Sequence, residues 1–212
     1  MHISEGVLSP PVLLTGACLA AGGLALGLKK TDYDRLPEAA VLAAAFFVAS
    51  LVHLPIGPAA VHLVLPGICG ILLGWSAFPA IFIGLSLQAI LFQYGGLVVL
   101  GVNTAIMAGP AVLFGLAAAG MVARDNPAIR YAAEFICGAG SVLMSGTLAA
   151  LALAASDKAF DWAALAVVAA HLPIMAAEGA LTIIIVEFVR KVRPEMLRRP
   201  PRTSTAAPVS EA

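Results

Sequence analysis

The stretch Phe78-Pro-Ala-Ile-Phe-Ile-Gly-Leu-Ser-Leu-Gln-Ala-Ile-Leu-Phe-Gln-Tyr-Gly-Gly-Leu-Val-Val-Leu100 carries no charged residue. A spanning helix needs roughly 20 mainly apolar residues, so this stretch alone can cross a bilayer. The pattern extends over nearly the whole chain. Hydrophobic residues make up 61% of the 212 residues and charged residues 11%, where a soluble domain carries about 25% charged residues. That is too little charge to coat a water-facing surface of this length. The reading is an all-α integral membrane protein with about seven transmembrane helices.

Working outward from Phe78–Leu100, three candidate spans precede it, at Val7–Leu28, Pro37–Val52 and Ala59–Gly74. Three follow, at Asn103–Val122, Tyr131–Ala155 and Trp162–Val189. The second and third are short and flank the turn-rich His53-Leu-Pro-Ile-Gly-Pro58, so one of them is expected to tilt or to enter only partway. Residues 1–195 read as a single transmembrane domain. Residues 196–212 read as a disordered cytoplasmic tail, rich in Pro, Ser, Thr and Ala.

With seven spans, all but Lys158 of the 12 basic residues fall on one side. Lys29, Lys30 and Arg35 lie in the first loop, Arg124 and Arg130 in the fifth, and Arg190, Lys191, Arg193, Arg198, Arg199 and Arg202 at the C-terminal end. The positive-inside rule then predicts a cytoplasmic C-terminus and an N-terminus outside. Six spans would scatter the same charges over both sides. No basic region precedes the first apolar run, so Met1 is expected to be the mature N-terminus.

The four histidines, His2, His53, His62 and His171, then lie in the outer half of the membrane or at its outer surface. Polar groups at such depth are costly and usually functional. His2 adjoins an α-amino group, and the amine, the His2 backbone nitrogen and the imidazole form adjacent chelate rings. The amine has a pKa of about 8, so a metal can displace its proton near neutrality. Nitrogen ligands in a plane suit Ni(II) or Cu(II). One position of a square stays open for an imidazole, with His62 the first candidate and His53 the second. His53 also reads simply as a wet loop residue, and His171 as a partner in interhelical hydrogen bonding.

Gln93 and Asn103 lie near the outer ends of their helices, where they can order a loop or hydrogen-bond a metal ligand. Interhelical hydrogen bonding accounts for them equally well. His171 and Glu178 are seven residues apart and share a helix face, a pair that reads first as packing and second as a support behind a metal ligand or a relay. The three cysteines, Cys18, Cys69 and Cys137, are widely separated in apolar surroundings and read as packing residues. Gly16-x-x-x-Ala20, Ala17-x-x-x-Ala21 and Gly23-x-x-x-Gly27 give the first helix small-residue faces, which fit another helix of this chain or a separate subunit. No phosphate-binding Walker loop, nucleophile elbow or His-Glu-x-x-His helix is present, so ATP hydrolysis would have to come from a partner.

Several segments together carry a resemblance: Met1-His-Ile-x-Glu-Gly6, Pro55-Ile-Gly-Pro-Ala-Ala-Val-His-Leu63, Ile71-Leu-Leu-Gly74, Leu91-Phe-Gln-Tyr-Gly-Gly96, Gly101-Val-Asn103, His171-Leu-Pro-Ile174 and Glu178-Gly179. From Met1 to about Pro194 the chain resembles the CbiM/NikM proteins, the substrate-binding membrane components of energy-coupling-factor transporters for cobalt and nickel. The resemblance implies a metal square of the Met1 amine, two His2 nitrogens and a further histidine, matched here to His62. It implies a transmembrane coupling subunit, two cytoplasmic ATP-binding subunits and often a small accessory membrane subunit. The small-residue helix face would serve the coupling subunit as a docking surface, and transport would involve toppling of the binding component. Where the cobalt branch commonly shows Ser-Cys-Ser-His-Pro-Thr, this chain has Ala-Ala-Val-His-Leu-Val, closer to the nickel-type variant. The resemblance thus implies nickel or cobalt ion as the cargo, with no other cofactor and no nucleic acid expected, and a place in the plasma membrane. Two other classes remain open: an intramembrane enzyme using His171 and Glu178 as an acid–base pair, and a stand-alone channel or metal permease.

Overall fold

The structure is a computed structural model that describes residues 2–51, 53–56 and 59–197, with the backbone alone for 53–56 and 59–62. It is nearly all-helical. The helices are α1 (Pro10–Lys30), α2 (Leu36–Ala49), α3 (Pro66–Leu73), α4 (Ala77–Phe92), α5 (Leu100–Val122), α6 (Pro127–Ser156) and α7 (Asp161–Val192). Five segments are long and apolar enough to cross a membrane: Pro10–Lys30, Pro66–Phe92, Leu100–Val122, Pro127–Ser156 and Lys158–Val192. Helix α2, at 14 residues, is about 21 Å long, short of the bilayer's apolar thickness.

Several starts follow local rules. Proline stands at the first positions of α1, α2, α3 and α6, where its missing N–H costs nothing. Asn126 caps α6, its side chain accepting from the Ala128 N–H at 3.0 Å.

The expected helix over Ala59–Gly74 is a correction. Residues Ala59–His62 form strand β3, and the helix begins only at Pro66. Pro55, Pro58 and Pro66 each disfavour helical backbone at the residue before them, and Pro66 would interrupt any helix begun at Ala59. The segment instead forms a hairpin of β2 (His53–Ile56) with β3, joined on the other edge of β3 by β1 (His2–Ile3). The all-α reading therefore missed a small antiparallel sheet of order β1-β3-β2. The second expected span, to Val52, ends at Ala49; Val52 itself lies outside the described residues.

Helix α3 stops at Gly74, whose φ of +57° suits glycine, and a 3-10 turn over Gly74–Ser76 leads into α4. Its partner α5 lies so close that a Cβ on Gly70 would overlap the Ala111 carbonyl, and one on Gly115 would overlap the Gly70 backbone. The Gly16, Ala20, Gly23 and Gly27 face of α1 is buried. Within the chain it meets Val102 of α5 and Phe78 and Pro79 of α4, so that face is already occupied. Ala17 and Ala21 are exposed. The core gathers Phe46, Ile81, Leu85, Met107, Ala111, Leu153 and Val167, while Leu14, Leu19, Ile83, Ile90, Ile136, Leu151 and Ile184 face outward. Outward apolar surface on this scale fits a lipid solvent.

Candidate metal site

The N-terminal strand is held from four directions. His2 pairs with Ala60 and Ile3 with Ala59 along β3. The Ile3 N–H donates to Asn103 Oδ1 at 3.0 Å, and Asn103 Nδ2–H donates to the Ile3 carbonyl at 3.1 Å. One buried side-chain amide thus imitates a neighbouring strand, and the two bonds fix which end of the amide is which. The Glu5 N–H donates to the Gly95 carbonyl at 3.0 Å, and the Val98 N–H donates to Glu5 Oε1 at 2.9 Å. The Ser9 N–H reaches Ser156 Oγ at the end of α6, at 3.1 Å. His2 is 3% exposed and Ile3 fully buried; the His2 ring stands 6.1 Å from that of Tyr94.

The loop after α4 makes room for this strand. Gly95 and Gly96 have φ of +77° and +127°. A Cβ on Gly95 would press on Asn103 Nδ2, and one on Gly96 would overlap the Glu5 side chain. Gln93 is the left-handed cap of α4, with φ +57° and an exposed side chain; its backbone N–H donates to the Gln88 carbonyl.

Sheet register relates the histidines. His53 stands opposite His62, and Pro55 stands opposite Ala60, which also faces His2. Positions two apart on a strand, and positions directly opposite on neighbouring strands, lie on one face of a sheet. His2, His53 and His62 therefore occupy positions of one face, with His62 on the central strand. Met1 lies outside the described residues, as do the side chains of His53 and His62. Among the described residues no three His, Cys, Asp or Glu side chains come together, and His2 is the candidate ligand whose side chain is described.

His171 and Glu178 are both buried on α7 but serve different partners. His171 Nδ1 lies 2.5 Å from the Val167 carbonyl, so that nitrogen is the donor. Glu178 accepts the backbone N–H groups of Val64 at 2.5 Å and of Leu65 at 2.9 Å, where β3 leads into α3. The sequence alone held no sign of this last contact, because it joins residues 114 apart.

The opposite end of the bundle carries the described basic residues apart from Lys158, which follows Ser156 at the histidine end. Lys30 lies over the Trp75 ring. Arg35 donates to the carbonyls of Leu72 and Met196 and pairs with Glu38. Arg130 and Arg190 both bind Glu187, and Arg190 also donates to the Val122 carbonyl and pairs with the buried Glu134. Arg198, Arg199 and Arg202 lie outside the described residues.

A protein family described as the cobalt uptake substrate-specific transmembrane region, CbiM, matches residues 2–196. The cobalt transport protein CbiM of Sorangium cellulosum is 32% identical over 215 residues, covering 94% of this chain and 95% of that protein. A Haemophilus influenzae protein whose name assigns it to metal transport is 55% identical over 113 residues, 53% of this chain and 55% of its own length. The fused nickel transport protein NikMN of Rhodobacter capsulatus is 38% identical over 120 residues, 53% of this chain and 35% of its own. The matches to these last two thus span only about half and a third of those proteins. A solved transition metal transporter superposes with a TM-score of 0.76 at 23% identity, covering 91% of this chain and 93% of that one. At that identity the likeness speaks to the fold alone.

Proposed function

The chain belongs to the CbiM family of cobalt uptake transmembrane proteins, and we propose that it is the metal-capture subunit of an energy-coupling-factor importer for nickel or cobalt ion. In this reading the ion arrives at the outer face and is held by the Met1 amine, the backbone and side-chain nitrogens of His2, and the imidazole of His62, with His53 the alternative fourth ligand. The observation that carries the reading is the sheet register, which sets His2 and His62 on one face of one small sheet. The burial of His2 supports it, because a chelate held before the metal arrives has little ordering left to lose.

The orientation belongs to the same proposal. The histidine-bearing sheet and the described basic residues other than Lys158 sit at opposite ends of the bundle, and the positive-inside rule puts the basic end in the cytoplasm. The chain then crosses seven times if α2 and the α3 half-helix are counted, with its N-terminus outside. Names such as the fused CbiMQ protein of Methanocorpusculum labreanum and the fused NikMN protein join this kind of chain to other transport components. A transmembrane coupling subunit, two ATP-binding subunits and a small accessory membrane subunit are the partners proposed here. Transport rather than catalysis also fits the separate partners of His171 and Glu178, which leave no acid–base pair between them.

Calorimetry of the purified full chain with Ni²⁺ and Co²⁺ tests the site. Saturable one-to-one binding is expected, and it should be lost in His2→Ala and in a chain extended ahead of Met1. Binding that survives both changes sinks the proposed ligand set.

A further inference from the structure

We propose that Glu178 is the positioning residue of the metal site, its carboxylate holding the β3–α3 junction and thereby the strand that carries His62. The inference rests on the metal-site reading above. Val64, one of the two residues whose N–H groups Glu178 accepts, lies two positions beyond His62. Leu65, the other, has φ +56°. A left-handed backbone is costly for leucine, and the following Pro66 pulls Leu65 toward extended backbone instead. Its own sequence therefore drives Leu65 away from the conformation it adopts, and such strain persists only where the surroundings impose it.

The imposing group is the Glu178 side chain. Consecutive N–H groups around a left-handed residue form a concavity that binds anions, and the start of α3 adds the positive end of a helix. The Glu178 carboxylate fills that concavity, Oε1 accepting from Val64 and Leu65 and Oε2 from Leu65 at 3.1 Å. It is presented from a rigid place. Gly138 of α6 packs against the Glu178 carbonyl and Thr182, and Thr182 Oγ1 donates to that same carbonyl at 2.7 Å. The carboxylate is therefore fixed by the α6–α7 contact, and the histidine strand is fixed by the carboxylate. Without it, two N–H groups would be stranded in an apolar interior and Leu65 would relax, shifting His62 relative to His2.

The test uses the detergent-purified full chain and Ni²⁺ alone, read by calorimetry and by the metal's d–d absorption. Glu178→Ala should bind about 10–100-fold more weakly, as groups that orient metal ligands commonly do when removed, and should change the absorption band. Glu178→Gln should stay within about threefold of wild type, because one amide oxygen can still accept both N–H groups. Adding Leu65→Gly to Glu178→Ala should restore roughly tenfold, since glycine takes the left-handed conformation freely. That rescue, and the band, are readouts a merely structural role would not move. Wild-type affinity and spectrum in Glu178→Ala, or no rescue by Leu65→Gly, overturns the proposal while leaving the metal site standing. If Glu178→Ala yields no folded protein, Glu178→Asp decides: weaker Ni²⁺ binding supports the role, and unchanged binding ends it. A wild-type chain that binds no Ni²⁺ ends both readings.

Discussion

Asn103 turns a two-residue strand into a fixed structure. Its amide gives Ile3 both of the hydrogen bonds that a neighbouring strand would supply. Replacing it with alanine strands a buried N–H and a buried carbonyl, at about 1–3 kcal/mol for each unsatisfied group. Asn103→Ala should therefore lower the melting temperature and weaken Ni²⁺ binding by roughly 10–100-fold, since His2 loses its support. Asn103→Asp keeps the acceptor for the Ile3 N–H and should fall between the two; calorimetry and a thermal melt on the same preparations check both. At this scale much was legible. The sequence reads Asn103 equally as a group that orders a loop, bonds a metal ligand or bridges helices; the structure places its amide against Ile3. Gln93, named with it, caps α4 with its backbone and directs its side chain outward. Chain position alone could not separate the two, because a left-handed cap and a buried clamp differ only in how the helix ends. For Glu178 the sequence offers packing ahead of a supporting or relay role and names no partner, because its acceptor role depends on Val64 and Leu65, which only the folded chain brings near.

Between the residues and the whole lie the hairpin and the half-helix. Apolar composition predicts a span wherever it runs on, and Ala59–Gly74 is apolar enough to mislead. Its prolines decide otherwise, and the strand pairing satisfies backbone groups that a broken helix would leave open to lipid. The same segment shows how close packing replaces the hydrophobic effect between helices in a membrane. Gly70 and Gly115 bring α3 and α5 together backbone to backbone, so there is no flexible side chain to yield. Gly70→Ala and Gly115→Ala should each destabilise by about 1–3 kcal/mol or more. Gly22→Ala, at a position with open space around it, should be neutral or mildly stabilising because alanine favours helix. Thermal stability in one detergent checks all three, and an unaffected Gly70→Ala would mean that α3 does not seat against α5 as described.

For the whole molecule, the decisive property is that the two kinds of chemistry sit at opposite ends. One end has His2, the hairpin, Asn103 and the loop around Gly95. The other holds Lys30 over Trp75, Arg35 against Leu72 and Met196, and the cluster of Arg190, Glu187, Glu134 and Arg130 on the α6–α7 side. Charge counting along the chain already separated the ends, because loops alternate between them whatever the helices do inside. It could not reveal that the arginines are tied to carbonyls at helix ends, which is how charge is held at a boundary without being buried unpaired. Membrane orientation follows if the positive-inside rule governs this chain, and labelling from one side decides it. Cys69 and Cys137 are buried, and Cys18 is exposed, so Cys18→Ser supplies a quiet background. In spheroplasts, Lys158→Cys should react with a membrane-impermeant maleimide without lysis, and Arg124→Cys only after permeabilisation. The reverse pattern would place His2 on the cytoplasmic side, and a capture site for arriving metal could not be there.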